Sequence, residues 1–310
     1  MAWIPIGVAA AALMRGVCRR PRVAAVFGVL LVSFVVGLSA VPAYAATCSG
    51  GTTMTIDLAS EESVALSLDG AVDPRGIVVT PADPSCAGFN TGTVTTIQVN
   101  GSGGNETVTI DQTGTAPFPH QNTVSIDLAL GDGADSVVIT GQSTADAIGF
   151  GANGISLDAD GTPDVTGLGT VERPTVNAGG GDDTVSGRED GGLGGVFATT
   201  LSIDGEAGND ALTGGDGDDE IGGGSGIDTL RGGAGGDTLD GGAGGDTLTG
   251  GEGPDTVNGG DGNDRLKGGG NDDDVNGDPG MDELAGGHGN DHCLGGPDPD
   301  SITGCESGHP

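Results

Sequence analysis

From Gly205 to Thr303 the chain repeats the pattern Gly-Gly-x-Gly-x-Asp-x-aliphatic-x eleven times, with no insertion between units. The sixth position is aspartate in every unit: Asp210, Asp219, Asp228, Asp237, Asp246, Asp255, Asp264, Asp273, Asp282, Asp291 and Asp300. The eighth position carries one small apolar group each time, from Leu212 and Ile221 through Leu284 to Cys293 and Ile302. A fixed nine-residue period is a fold signal, because a unit with one apolar side chain cannot bury a face alone and must stack on its neighbours. Glycine fills the first position throughout and the second and fourth in most units. The exceptions are Glu206 and Asp278 at the second place and Asn271 and Asp298 at the fourth. Asn and Asp tolerate left-handed backbone best after glycine, so most of these exchanges suit turns that need positive φ. Composition alone would suit a disordered Gly/Asp tract. An invariant aspartate followed two residues later by an aliphatic is not low-complexity drift.

These nonads closely resemble the hemolysin-type calcium-binding, or RTX, repeats. The resemblance implies an all-β fold with a right-handed parallel β-roll at the C-terminal side, in which six residues turn and three form a short strand. Two nonads complete a coil, and calcium sits between turns stacked on one edge. It further implies the eleven sixth-position aspartates as metal ligands together with turn carbonyls. Turns starting at Gly205, Gly223, Gly241, Gly259, Gly277 and Gly295 would form one edge, and those at Gly214, Gly232, Gly250, Gly268 and Gly286 the other. The gaps between them would hold about nine calcium ions when full. Hard oxygen ligands on a flexible loop suit calcium, whereas magnesium prefers a rigid octahedral site and zinc wants nitrogen or sulfur. The stretch holds 23 acidic against three basic residues. With one aliphatic per nonad to offset the ordering of nine backbones, calcium binding is the natural missing stabilisation.

Residues 1–45 read as an export signal. Arg15, Arg19, Arg20 and Arg22 precede an apolar run from Val23 to Leu38, and Ala43-Tyr44-Ala45 is a small-x-small cleavage site. A retained membrane anchor is the competing reading, but Gly28, Ser33 and Gly37 interrupt the run. Arg19-Arg20 is a poor twin-arginine signal, since Pro21 and Arg22 follow it. All 45 acidic residues lie after this segment, against only six basic ones. Such a field repels nucleic acid and anionic membranes and attracts multivalent cations. The only tryptophan and tyrosine, Trp3 and Tyr44, leave with the signal, so no stacking platform for bases or sugars is expected. Localisation outside the cell follows, as do disulfides among Cys48, Cys86, Cys293 and Cys305. Closeness in sequence favours Cys48 with Cys86 and Cys293 with Cys305. The second bond would fold the 304–310 tail over the end of the roll.

Residues 46–204 show short strands punctuated by glycine. Met54, Ile56 and Leu58 alternate, as do Val64, Leu66 and Leu68, and Val124, Ile126, Leu128 and Leu130. Diluted nonads are embedded here: Gly101–Thr109 with Glu106 at the sixth place, Leu130–Val138 with Asp135, and Ala178–Ser186 with Asp183. The region is either an irregular β-solenoid whose coils tighten at Gly205 or an independent small β-sandwich between Ala46 and about Gly169.

Two further clusters are weaker. His288, His292, Cys293, Cys305 and His309 can be written as a zinc site, but His292 and Cys293 are adjacent in one strand and should face opposite ways. Asp158, Asp160 and Asp164 match part of an EF-hand loop without its remaining ligands or helices, as an acidic turn would. Neither a His-Glu-x-x-His helix nor a Gly-x-Ser-x-Gly elbow is present. The expectation is therefore a secreted, non-enzymatic calcium-binding protein that binds neither nucleic acid nor, after signal cleavage, membrane. Two alternatives remain: an adhesion or matrix component using the roll as a spacer, and a polysaccharide-modifying enzyme with its site on the longer coils around Thr93 to Ile203.

Overall fold

The computed structural model describes residues 46–50, 53–58, 63–69, 76–80, 96–101, 104–112, 125–157, 163, 165–188, 193 and 195–306. The export segment, Asp158, Asp160 and Asp164, the expected Cys48–Cys86 bond and His309 lie outside them. Within each nonad the residues around the eighth position alternate as a strand requires. Thr229 is half-buried, Leu230 is buried and Arg231 is exposed on the segment Thr229–Ala234. The chain crosses between two sheets with each nonad, so segments two nonads apart pair in parallel. Leu230 lies opposite Leu248, then Leu266, Leu284 and Ile302 in a 14-stranded sheet. Ile221 lies opposite Leu239, then Val257, Val275 and Cys293 in an 11-stranded sheet. The inward aliphatics of both sheets form one buried cluster running from Ile56 to Cys293. This is a parallel β-roll.

The turn is tighter than a six-residue turn with a three-residue strand. In the central coils pairing continues into the second and third positions of the following nonad, as in Gly224 with Gly242 and Ser225 with Ala243. The backbone bends there without losing its partner, because Gly242 sits at φ 92°, which a side chain would oppose. A Cβ at Gly242 would also lie 2.2 Å from the carbonyl oxygen of Gly224 in the coil below. Where side chains do occupy left-handed positions, at Glu206 (φ 65°), Asn271 (φ 79°) and Asp278 (φ 65°), two of the three are the Asx type that bears it best.

Both sheets run upstream through Gly205 without a break. In the 11-stranded sheet Val108 pairs beside Val137, Ile139 beside Val176, Val176 beside Ile203 and Ile203 beside Ile221. The interval between stacked coils is thus 29 residues, then 37 and 27, before it settles at the regular 18. The irregular part carries departures that the nonads lack. Ala147–Gly151 and Gly154–Ser156 form an antiparallel hairpin, with Ile155 placed between Phe150 and Val165. Antiparallel pairs also occur at Ala46–Gly50 with Thr53–Leu58, and at Ser63–Asp69 with Gly76–Thr80.

Candidate metal centre

The aspartate ladders are built by the stacking itself. Each sixth-position aspartate sits between the turn and the strand of its nonad, so the 18-residue register brings the next one directly above it. Its Oδ1 accepts the backbone N–H of the aspartate one coil earlier. Asp228 does this for Asp210, Asp246 for Asp228, Asp264 for Asp246, Asp282 for Asp264 and Asp300 for Asp282, at 2.8 to 3.0 Å. On the other edge Asp237, Asp255, Asp273 and Asp291 do so for Asp219, Asp237, Asp255 and Asp273, at 2.8 to 3.1 Å. The two sets are the two edges expected from the nonad register.

The second carboxylate oxygen has a different environment. At Asp210, Asp228, Asp237, Asp246, Asp255, Asp264, Asp273, Asp282 and Asp291 the Oδ2 is buried and accepts no hydrogen bond. It lies against the first glycine of its own nonad, and at Asp210, Asp228, Asp246, Asp264, Asp273 and Asp282 the carbonyl of the first glycine one coil on lies beside it. A Cβ at Gly241 would meet Gly259 O at 2.4 Å and Asp246 Oδ2 at 2.7 Å. That explains why the first position is glycine in all eleven units: a side chain would fill the space where two oxygens converge. Asp219, which begins its edge, differs. Both its oxygens accept backbone N–H groups, Oδ1 from Leu201 and Oδ2 from Gly215.

A buried carboxylate oxygen without a donor is costly to keep charged. Burial accordingly pushes Asp237 up to about 7 and Asp183, Asp246, Asp255 and Asp273 up to about 6. Asp210, Asp219, Asp228, Asp264 and Asp282 shift the same way. The backbone N–H bond works against burial at each. At Asp237, Asp246 and Asp273 the stacked neighbours add to the rise by repulsion. Among the described residues no three His, Cys, Asp or Glu side chains cluster as a metal cage. The donor set is instead paired carboxylates with backbone carbonyls, all hard oxygens, and that chemistry fits calcium rather than zinc.

The ladders reach further than the eleven nonads. Asp210 Oδ1 accepts from the N–H of Asp183, and Asp183 Oδ1 accepts from that of Asp146. Asp135 Oδ1 accepts from the N–H of Glu106. The three diluted nonads upstream therefore place their acidic residues in ladder positions. Asp146 was not singled out in the sequence, although Gly141–Gly149 has aspartate sixth and isoleucine eighth. The fifth position also has a role that its mixed composition hides. At four units where it is Asn or Asp, its side chain accepts the N–H of the fifth residue one coil on: Asn209 from Ile227, Asp218 from Gly236, Asn263 from Met281 and Asp272 from Asn290. Fifth-position side chains thus reach forward along the roll while sixth-position carboxylates reach back.

At the C-terminal end Cys293 and Cys305 form a disulfide with Cα atoms 6.0 Å apart. Their sulfurs are thereby committed. His292 lies on the outer face of the same strand, half-buried, with Nδ1 3.5 Å from Asp274 Oδ1. Three arginines pair on the surface with acids of neighbouring coils, Arg265 with Glu283 and Arg188 with Asp216 at 2.9 Å, and Arg173 with Glu220. Exposed pairs of this kind add little stability.

Compared with known families, residues 202–302 match the RTX calcium-binding nonapeptide repeat in four overlapping copies, at 202–230, 222–257, 249–284 and 268–302. No curated protein matches the chain. The roll is a calcium-binding RTX roll, carried on about a third of the sequence.

Proposed function

We propose that this is a secreted, non-enzymatic protein whose roll becomes ordered, or tightens, when it meets calcium outside the cell. The observation that carries the reading is the row of buried Oδ2 atoms without donors, stacked on both edges of the roll. Asp210 to Asp300 along one edge and Asp219 to Asp291 along the other would hold the ions, with turn carbonyls completing the shell. A bound divalent cation would supply the positive charge these oxygens lack. The chain's own residues do the rest: first-position glycines keep the space open, and the N–H to Oδ1 bonds fix each carboxylate's direction. The apolar start with its cleavage site and the acidic excess after it support export to a calcium-rich medium.

Binding to the ordered state but not to the open chain shifts the equilibrium toward order. Small-angle scattering in chelator and in millimolar calcium tests this. A smaller radius of gyration and a stronger β signal in calcium are expected, with magnesium giving little of either. Equal dimensions in both media would refute the coupling.

A further inference from the structure

We propose that the C-terminal end of the roll holds one more calcium site, which the nonads do not encode, made by Asp291, Glu306 and the Gly304 carbonyl and kept in shape by the Cys293–Cys305 disulfide. It rests on the reading of the stacked aspartates as calcium ligands. Asp291 is the last sixth-position aspartate on its edge. Eighteen residues later the sequence has His309, so the repeat supplies no carboxylate to stack on it.

The tail supplies one by a shorter route. Cys305 is bonded to Cys293, and the next residue, Glu306, comes to lie over the Asp291 turn only 15 residues after it. Glu306 Oε2 accepts the Asp291 N–H at 2.8 Å, the bond that a sixth-position Oδ1 makes on the turns beneath. Glu306 N–H donates to the Asp291 carbonyl at 3.0 Å, as His292 N–H does to the Asp273 carbonyl at 2.8 Å one coil below.

The remaining oxygens repeat the interior arrangement. A Cβ at Gly286 would meet Gly304 O at 2.3 Å and Asp291 Oδ2 at 2.6 Å. At Gly277, in the roll proper, the corresponding distances are 2.5 Å to Gly295 O and 2.5 Å to Asp282 Oδ2. Asp291 is 0% exposed and its Oδ2 accepts no hydrogen bond, which is the same unmet demand that marks the interior aspartates. Glutamate's extra methylene lets a carboxylate arriving three residues early reach the ladder position. The disulfide sets where that shortened path ends.

Calcium titration by calorimetry on the protein with its disulfide intact tests the site, using Glu306→Gln and the double variant Cys293→Val, Cys305→Ser. Gln keeps an oxygen for the Asp291 N–H while removing the charge, and Val restores the aliphatic that the repeat places at the eighth position. Each variant is expected to take up one ion fewer than the parent, with no further loss when the two are combined. An unchanged stoichiometry in Glu306→Gln, or a loss of several ions, would overturn the site. Retention of the ion by the double variant would overturn the part given to the disulfide. A parent protein that takes up no calcium would instead sink the reading of the ladders as a whole, so the two failures are distinguishable.

Discussion

A single sixth-position aspartate does three things at once. Its Oδ1 satisfies a backbone N–H of the coil below, its own N–H is satisfied by the coil above, and its Oδ2 is left for a cation. Asp246 has all three, bonded to Asp228 on one side and Asp264 on the other. Asp300 is half-buried and reaches back to Asp282 at the end of its ladder, in a turn that also holds Pro297 and Pro299. Asp246→Ala should therefore cost two ions in a calorimetric titration, and Asp300→Ala one. An equal or larger loss for Asp300→Ala would count against ion binding between stacked turns. The metal-free fold of Asp246→Ala should also lose roughly 1–3 kcal/mol, because the Asp228 N–H is left buried without its acceptor.

The nonad as an element has a pH response that follows from its carboxyls. Four sixth-position carboxyls are held well above the ordinary 3.8, Asp237 at about 7 and Asp246, Asp255 and Asp273 at about 6, with burial as the leading cause. A group whose acid form is favoured on folding binds more protons in the folded state, so stability falls as pH rises between the unfolded and folded values. In chelator the roll should be most stable near pH 4 and lose stability steadily up to about pH 7, as these aspartates ionise in place. Calcium should reverse the order, because it competes with the proton for the same oxygens. Thermal unfolding followed by circular dichroism from pH 4 to 8, with and without calcium, checks the inversion. Parallel profiles in the two media would show that protons and calcium act at different groups.

Across the whole molecule the apolar core is uneven. The strands between 96 and 140 bury two aliphatics each: Ile97 and Val99, Val108 and Ile110, Ile126 and Leu128, Val137 and Ile139. Phe150 and Phe197 add an aromatic contact with ring centroids 5.6 Å apart. Each nonad of the roll buries only one aliphatic side chain, so less hydrophobic stabilisation opposes the same backbone entropy there. Hydrogen exchange should then divide the chain. Removing calcium should expose the amides of 205–303 strongly and those of 96–140 little, read as peptide-level deuterium uptake. Uniform loss of protection would mean that the two regions open as one unit.

The nine-residue register by itself determined the roll, its two edges and the eleven aspartates, because an uninterrupted repeat of a unit that cannot bury its own face has one way to satisfy both its apolar position and its glycines. The alternation at Ile56, Val64 and Ile126 likewise marked upstream strands, and the spacing of Cys293 and Cys305 marked the staple. The stacking of the upstream coils, however, depends on contacts between residues 27 to 37 positions apart, with a hairpin inserted among them, and no local pattern specifies that. Asp146 carried a local signal that the irregular spacing around it obscured. Glu306 carried none: its place above Asp291 follows from the disulfide that anchors the residue before it. The fifth-position bonds were hidden for a related reason, since they exist only between coils and leave a mixed composition behind. What repeats along the chain can be read in one dimension, whereas what closes an end or joins unequal coils is decided by which backbone groups meet in three.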